Sequence, residues 1–316
     1  MTRVHIRVRS AATVLLALLF GGCSHGEDIH FSRLEQVIFN TPTADLRDSL
    51  VARGDEFATP LLNVNPYDPQ YMELLADFAA DTSMRLIYHI TDSLYHDLSW
   101  LERELGRALS RADGMHYDRF YTLVTGDFDD YNRRIFCSDH ELAISLDHYA
   151  VGALKAGVPQ YIEQLSRRQY MAADCMAAIA RAHIALPDGD MTLLDYAIAE
   201  GKTLFFLEQT MPRTDDTILL RYTSQQLKWM RHNTEQVWSW LIKKQMLYST
   251  DLLQFHNIID EAPKTNAFGE ESAPRTTSYI GWQIVRQYMR RTKCTMKELF
   301  ENTDSRQILV QSGWRP

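Results

Sequence analysis

The sequence predicts a mostly helical α+β fold in which a small sheet is framed by many helices. Apolar residues recur at helical spacing through most of the 316 residues, whereas only residues 120–146 contain short segments of strand composition between turn residues. The chain shows no internal repeat and no linker long enough to force a domain boundary. These observations together predict one α+β domain over residues 31–316.

The first half of the chain is predicted to hold two long helical regions and then the sheet. Helices are expected over 31–53 and 71–109, the second with a break near 81–83, and a proline-containing loop over 59–69 separates them. Three strands follow, which can form an antiparallel or a mixed sheet, at 120–124, 131–136 and 141–146.

After Pro159 every predicted element is helical. These helices are expected at 160–186, 192–210, 224–249, 280–291 and 295–302, with a short element at 305–311. The helix over 224–249 carries one apolar stripe at three-and-four spacing, which predicts a core helix rather than an aromatic binding cage. The members of this stripe are Leu227, Met230, Thr234, Val237, Leu241 and Tyr248.

The first 22 residues have the pattern of a secretory signal peptide. They contain no acidic residue, carry three arginines within the first nine positions, run apolar over 14–20 and end in two glycines. Cys23 directly follows those glycines, and the arrangement resembles a bacterial lipobox, in which the thiol is acylated and the peptide is cut just before it. The alternatives are an ordinary signal peptide with an incidental cysteine and an anchor helix, although the apolar run is shorter than the roughly 18 residues that a spanning helix needs.

The predicted organisation is therefore a lipoprotein signal peptide over 1–22, a polar tether over 23–30 and the domain over 31–316. We expect a cell-envelope protein on the periplasmic side of the inner or outer membrane, attached through acylated Cys23 and contacting other envelope proteins. Removal of the signal peptide takes away three arginines and no acid, so the formal net charge falls from −8 to −11. A chain this acidic is a poor candidate for binding nucleic acid.

The sequence motifs predict neither a metal site nor a cofactor. The string from His140 to Ile144 begins like the zinc motif HExxH, but isoleucine stands where the second histidine belongs, and the segment has strand composition. No GxSxG, P-loop or GxGxxG motif occurs. Three further cysteines, Cys137, Cys175 and Cys294, are too widely spaced to indicate a disulfide framework.

Several short strings resemble, in order and spacing, the gliding-motility lipoprotein family GldB of the Bacteroidetes. The most specific is Ile280-Gly281-Trp282-Gln283-Ile284-Val285-Arg286-Gln287-Tyr288-Met289. The others lie at 143–147, 159–161, 201–202, 229–233, 237–238, 246–251, 262–263 and 274–275. The resemblance implies a cell-envelope lipoprotein that is a non-enzymatic component of gliding machinery or of the secretion apparatus coupled to it.

The family is also similar, distantly, to gluzincin-type peptidases, which implies a zincin-like outline. In those enzymes one helix carries HExxH, and a later helix carries a Glu-Gly pair with the third metal ligand. Glu200-Gly201 is similar to that pair, but the helix that should hold the histidines, around Asp174, has no histidine pair. The resemblance thus implies a peptidase-like scaffold whose metal site has been lost.

A partner groove is predicted at the mouth of this degenerate cleft. Arg275 and Gln283 are expected to face Glu200 from the surface, and Gly281, at the head of a helix, permits the close approach of another backbone. The alternative for Trp282 is a structural role, in which it packs against Trp229 or Trp238. The candidate groove residues are Glu200, Lys202, Arg275, Trp282 and Gln283. Two other functions stay open, a metallohydrolase with an unrecognised metal site and a lipoprotein that binds a peptide or glycan.

Overall fold

A mixed four-stranded sheet lies between two groups of helices. The computed structural model describes residues 27–128, 133–155 and 157–316, so Cys23 and the predicted signal peptide lie outside the described residues. The order across the sheet is β1-β2-β4-β3; β1 and β4 are parallel to β2, and β3 is antiparallel to β4. The strands are β1 (Phe31–Arg33), β2 (Arg119–Leu123), β3 (Ile135–Cys137) and β4 (Glu141–Ser145).

Both faces of the sheet are buried. Because side chains alternate along a strand, Phe120 and Leu142 face one hydrophobic core while Tyr121 and Ala143 face the other. All five residues of β4 are buried, as expected of a strand covered by helices on both sides. The sheet therefore divides the interior into a smaller N-terminal core and a larger C-terminal core.

Four helices cover the N-terminal core. Asp81 ends α3 and caps α4, because its carboxylate accepts hydrogen bonds from the backbone N–H groups of Ser83 and Met84. This confirms the helix break predicted near 81–83. The four helices are α1 (Leu34–Asn40), α2 (Leu46–Ala52), α3 (Pro69–Ala80) and α4 (Thr82–Tyr95).

The remaining eleven helices of the described residues form or cover the C-terminal core. Capping boxes at Thr192 and Thr223 fix the starts of the two longest, α9 and α11. The helices are α5 (Ser99–Leu109), α6 (Val151–Leu154), α7 (Gln160–Leu165), α8 (Met171–His183), α9 (Leu193–Thr210), α10 (Asp216–Leu220), α11 (Ser224–Lys243), α12 (Leu252–Ile259), α13 (Thr276–Thr292), α14 (Met296–Glu301) and α15 (Ser305–Ser312).

Two glycines let α9 and α13 touch through their backbones. A Cβ added at Gly281 would lie 1.7 Å from the carbonyl oxygen of Ala197, and one added at Gly201 would lie 2.4 Å from the carbonyl of Gly281. Neither position tolerates a side chain without the helices moving apart. The predicted close approach at Gly281 is confirmed, but it occurs in the second turn of α13 and not at a helix head, because α13 begins at Thr276.

The mostly helical α+β class is confirmed, whereas several predicted boundaries are wrong. Strand β1 lies inside the predicted helix 31–53, and the predicted helix 160–186 is interrupted between α7 and α8. The apolar stripe of α11 is buried at Leu227, Met230, Val237 and Leu241, but the helix ends before Tyr248, which is 49% exposed. Among the described helices, none combines the length and apolar character that crossing a membrane requires.

The start of the described chain is packed onto the domain. The backbone N–H of Glu27 donates to the carbonyl of Gly106 in α5 at 3.0 Å, and Ile29 is buried. A Cβ at Gly106 would lie 2.2 Å from the carbonyl oxygen of Glu27, so glycine is what allows the two backbones to meet. The second half of the predicted tether 23–30 therefore belongs to the folded domain.

Candidate functional site

A cavity of about 420 Å³ opens between α8, α9, β3 and the residue that precedes α13. Residues at helical spacing on α8 (Asp174, Ala177 and Arg181) and on α9 (Glu200 and Leu204) face this cavity. Its lining is partly aliphatic and partly charged. The charged lining residues are Arg134, Asp174, Arg181, Glu200, Arg221, Asp260, Glu261 and Arg275. We call this the charged cavity.

Glu200 holds two arginines on one side of the charged cavity. Arg181 donates to both carboxylate oxygens of Glu200, from Nε to Oε1 at 3.1 Å and from Nη2 to Oε2 at 3.3 Å. Arg275 donates from Nη2 to Oε2 at 2.5 Å. We call Arg181, Glu200 and Arg275 the triad. It contains two positive groups and one negative group.

The two guanidinium groups keep Glu200 ionised. Burial alone would raise the pKa of this carboxyl, but the charges and hydrogen bonds of Arg181 and Arg275 outweigh burial and hold the pKa at about 2. Glu200 is therefore an anion at any physiological pH. Its negative charge fixes the positions of the two arginines in the cavity wall.

A second charge cluster also lines the charged cavity. Arg221 pairs with Asp174 through Nη1 and with Glu261 through Nε, the latter at 2.6 Å. Arg134 lies 3.8 Å from Asp174 and 3.5 Å from Glu261, and the hydroxyl of Tyr149 donates to Asp174 at 2.7 Å. Burial opposes ionisation of Glu261, but the nearby arginines, Arg221 foremost, lower its pKa. This cluster is electrically balanced.

Two arginines of the cavity have left-handed backbone conformations. Arg221 has φ 59° and Arg275 has φ 46°, in a backbone region that residues other than glycine seldom adopt. At Arg221 this conformation ends α10, and at Arg275 it precedes α13. Asn63, Gln245 and Lys293 adopt it outside the cavity. The charged cavity therefore holds both arginines at a cost in backbone energy.

The predicted groove residues divide into two groups in the structure. Arg275 was predicted to face Glu200; the two are in direct contact, and Arg275 is buried rather than at the surface. Lys202 lies outside the charged cavity; its Nζ donates to the carbonyl of Asn302 at 2.6 Å, and burial lowers its pKa to about 8. Gln283 is half-buried on α13 and is not part of the cavity lining.

Trp282 also lies away from the charged cavity, in the core. Its side chain is 1% exposed, its Nε1–H donates to Glu208 at 3.0 Å, and the guanidinium carbon of Arg286 is 3.7 Å from the ring centroid. Its aromatic neighbour is Tyr279, with ring centroids 6.2 Å apart. Trp282 is thus packed in the core, as in the structural role considered for it, but its aromatic partner is Tyr279 and not Trp229 or Trp238.

Comparison with known proteins decides the family. The sequence model described as gliding motility protein GldB matches residues 23–316, which is nearly the whole chain. The chain belongs to the GldB family. No curated protein and no solved structure gives a further match. Membership shows that this GldB-family protein is a gliding-motility-related lipoprotein of the cell envelope.

The donor groups of this GldB-family protein offer little to a metal ion. Both oxygens of Glu200 accept hydrogen bonds from guanidinium groups, so a cation placed there would meet two positive charges. Within residues 27–128, 133–155 and 157–316, no group of three or more His, Cys, Asp or Glu side chains is arranged to hold a metal. His140 stands just before β4, so the HExxH-like string enters a strand.

The sequence alone did not reveal half of the charged cavity. Arg134 precedes β3, Arg221 ends α10 and Glu261 follows α12, so each is a charged residue at the end of an element. Charged residues at such positions are ordinarily solvated, so neither periodicity nor spacing distinguishes these three.

Proposed function

We propose that this GldB-family protein is a non-enzymatic, lipid-anchored component of the gliding machinery or of the secretion apparatus coupled to it. It acts by binding a partner at the charged cavity. The observation that carries the proposal is the build of that cavity, in which buried Arg134 and Arg275 and the partly buried Arg221 line an open space. Desolvated arginines held by carboxylates are typical of recognition sites.

The state of Glu200 supports binding rather than catalysis. A general acid or base works best when its pKa is near the working pH, whereas the pKa of Glu200 is about 2. Both its oxygens accept hydrogen bonds from arginine N–H groups, and these bonds favour the ionised carboxylate over a group that exchanges protons with a substrate. Glu200 serves instead to orient Arg181 and Arg275.

The anchor places the cavity at a membrane surface. Family membership supports a lipoprotein, and we propose acylated Cys23 as the attachment, on the periplasmic side of the envelope. The partner would then be another envelope protein, which must present itself close to the bilayer that holds the anchor.

Complementation of a deletion strain tests the proposed function. Arg275→Gln removes the charge that holds Glu200, and we expect it to abolish gliding or coupled secretion while the protein remains in the envelope. The matched control is Arg231→Gln, because Arg231 also pairs with an acid, Asp216 at 2.8 Å, but its side chain is 55% exposed and lies outside the charged cavity. Full activity of the Arg275→Gln strain at normal protein levels would refute the proposal.

Metal analysis tests the non-enzymatic part. We expect purified mature protein to carry no stoichiometric zinc and to cleave no peptide substrate. About one zinc per chain, lost in Glu200→Gln but kept in Glu208→Gln, would contradict the proposal in favour of a metallohydrolase. Glu208 is a suitable control because it lies on α9, as Glu200 does, and also pairs with an arginine, Arg286 at 2.7 Å.

A further inference from the structure

A second cavity lies next to the charged cavity and has a different lining. Its volume is about 430 Å³, and its wall is made of proline rings, tyrosine rings and glutamine amides, with few charges. We call it the amide cavity. The residues that give it this character are Pro159, Gln160, Tyr161, Gln164, Gln226 and Pro263.

A narrow ridge separates the two cavities. Arg221 borders both of them. At two other places consecutive residues border opposite cavities: Glu261 the charged cavity and Ala262 the amide cavity, and likewise Arg275 and Pro274. The ridge is therefore no thicker than the backbone segments that form it, and a bound chain can cross it while it touches both cavities.

Hydrogen bonds fix the ridge in place. The hydroxyl of Tyr222 donates to the carbonyl of Arg275 at 3.2 Å, and Nε2 of Gln226 donates to the carbonyl of Pro263 at 2.8 Å. Arg221 adds a bond from Nη2 to the carbonyl of Leu165 at 3.1 Å. Three separate stretches of the chain are thus tied together, which preorganises the two cavities relative to each other.

We propose that the two cavities form one binding site for an extended peptide segment that carries a carboxylate, with the carboxylate at the triad and the chain crossing the ridge into the amide cavity. This inference rests on the proposed function, since it names the chemistry of the partner that the charged cavity binds.

The carboxylate is inferred from the unused donors of the triad. Among the described residues, the Arg275 guanidinium donates only to Glu200, from Nη2, and Arg181 donates to the same carboxylate from Nε and Nη2. Their other N–H groups are left for a ligand. Because a guanidinium fork matches a carboxylate, an anionic oxygen pair satisfies these donors and completes this wall. The triad has a local surplus of one positive charge, which Asp260 offsets over the cavity lining as a whole.

The peptide is inferred from the rest of the lining. Leu204, Leu207 and Ile259 make an aliphatic surface in the charged cavity, where the hydroxyls of a sugar would lose their hydrogen bonds but an apolar side chain would be accommodated. In the amide cavity the side-chain amides of Gln160 and Gln164 make no hydrogen bond to another described residue. An amide both donates and accepts, so it matches the N–H and C=O groups of an extended peptide.

Competitive retention of peptides on the mature protein in detergent micelles tests the proposal. The probes are two libraries of N-acetylated pentapeptides built from Ala, Leu, Pro, Gln and Gly, one ending in a free carboxylate and the other in an amide. We expect the free-acid library to be retained at least about tenfold better, as for gain of a charge-assisted bond. Equal retention of the two libraries, or retention of a chito-oligosaccharide while both libraries wash through, would overturn it.

Variants assign the binding to the two cavities. Arg275→Gln should remove the preference for the free acid. Arg181→Gln should do the same, and it serves as the second variant in case Arg275→Gln fails to fold, because the Arg181 side chain is 52% exposed. Gln164→Ala should lower retention of pentapeptides but not that of free-acid dipeptides, which reach only the triad. Arg231→Gln serves as the exposed control. A free-acid preference that survives both triad variants would refute the assignment.

Failure of this inference differs from failure of the proposed function. If peptides show no carboxylate preference but Arg275→Gln still abolishes complementation, the partner uses the cavity through other chemistry and only the inference falls. If peptides bind as expected but Arg275→Gln complements fully, the cavity binds peptides without serving motility, and the proposed function falls.

Discussion

The carboxylate of Glu200, held between two guanidinium groups, links the charged cavity to the stability of the protein. Its pKa falls from 4.5 to about 2 on folding, because Arg181 and Arg275 outweigh the effect of burial. A carboxyl with a lowered pKa in the folded state contributes stability above its unfolded pKa and loses that contribution as the pH falls through its folded pKa. The relevant window is therefore from 4.5 down to about 2.

Comparison of the wild type with Glu200→Gln reveals that contribution. We expect the variant to be less stable at neutral pH, with the difference in free energy of unfolding shrinking as the pH falls from 4.5 to about 2. Urea denaturation followed by circular dichroism measures it. Glu301→Gln is the control, since Glu301 is 64% exposed and pairs with Lys297 at 3.7 Å; it should match the wild type throughout. A Glu200→Gln difference that does not change with pH would contradict the assignment.

Trp282 illustrates a structural role at a position first considered for binding. Trp282→Ala removes a buried ring and leaves the Glu208–Arg286 pair without its cover, so we expect a loss of about 3–5 kcal/mol in the free energy of unfolding. Trp282→Phe keeps most of the ring but removes the Nε1–H donor to Glu208, and should cost about 1–2 kcal/mol. Chemical denaturation of both checks this. A loss below about 1 kcal/mol for the alanine variant would show that the ring is not part of the core.

At the residue level, the sequence supports the Glu200–Arg275 contact only through the family resemblance. The two residues are 75 positions apart, and no local pattern connects them. Lys202 and Gln283 were grouped with them because they are close in sequence to Glu200 and Trp282. On a helix, however, residues two apart point in different directions, so Lys202 faces α14 and α15 and not the cavity.

The contact between α9 and α13 is the element-level feature on which the charged cavity depends. α9 carries Glu200, and α13 follows directly after Arg275. The backbone contact at Gly201 and Gly281 sets the distance between these helices. Any change that separates the helices should also lengthen the distance from Glu200 to Arg275.

Gly281→Ala tests that dependence. The new Cβ would lie 1.7 Å from the carbonyl oxygen of Ala197, which is backbone and cannot move aside, so we expect a loss of about 3 kcal/mol or more. Gly152→Ala is the control: its Cβ would meet only the flexible side chain of Glu163, and alanine favours a helix, so stability should stay within about 1 kcal/mol of the wild type. Thermal and urea unfolding measure both. A Gly281→Ala protein as stable as the control would mean that the helices are not in backbone contact.

Element boundaries were predictable where a local signal marks them and not elsewhere. The carboxylate of Asp81 caps a helix, so the break between α3 and α4 is visible in the sequence. β1 is only three residues long and is defined by pairing with β2, far along the chain. Its residues alone fit the apolar spacing of the helix that follows, and tertiary pairing decides the outcome.

The whole molecule is a domain with two cores and an acidic mature chain. If the predicted signal peptide is removed, the formal net charge is −11, which gives the chain no attraction to anionic lipid. We therefore propose that attachment comes from acyl chains on Cys23; because one chain binds only marginally, stable attachment would need two or three. The class of fold was predictable because helical spacing dominates the sequence, but the division of the core by the sheet depends on contacts between distant strands.

Cys23→Ser tests whether Cys23 carries the lipid anchor. We expect the variant to move from the detergent-soluble membrane fraction to the soluble envelope fraction, as detected by immunoblotting of fractionated cells. Cys294→Ser is the matched control, since Cys294 is a free, half-buried thiol in the domain, and it should stay with the membrane. Retention of the Cys23→Ser protein in the membrane fraction would disprove acylation as the means of attachment.

The hydrogen bond between Glu27 and Gly106 also limits how far the protein can reach. Glu27 is already docked on α5, so only three residues separate it from Cys23. At about 3.5 Å per residue, the span from Cys23 to Glu27 is at most about 14 Å, much less than the width of a folded domain. If Cys23 is acylated, this short tether keeps the domain from moving far from the membrane. The domain would then lie against the bilayer, and a partner would have to reach it there.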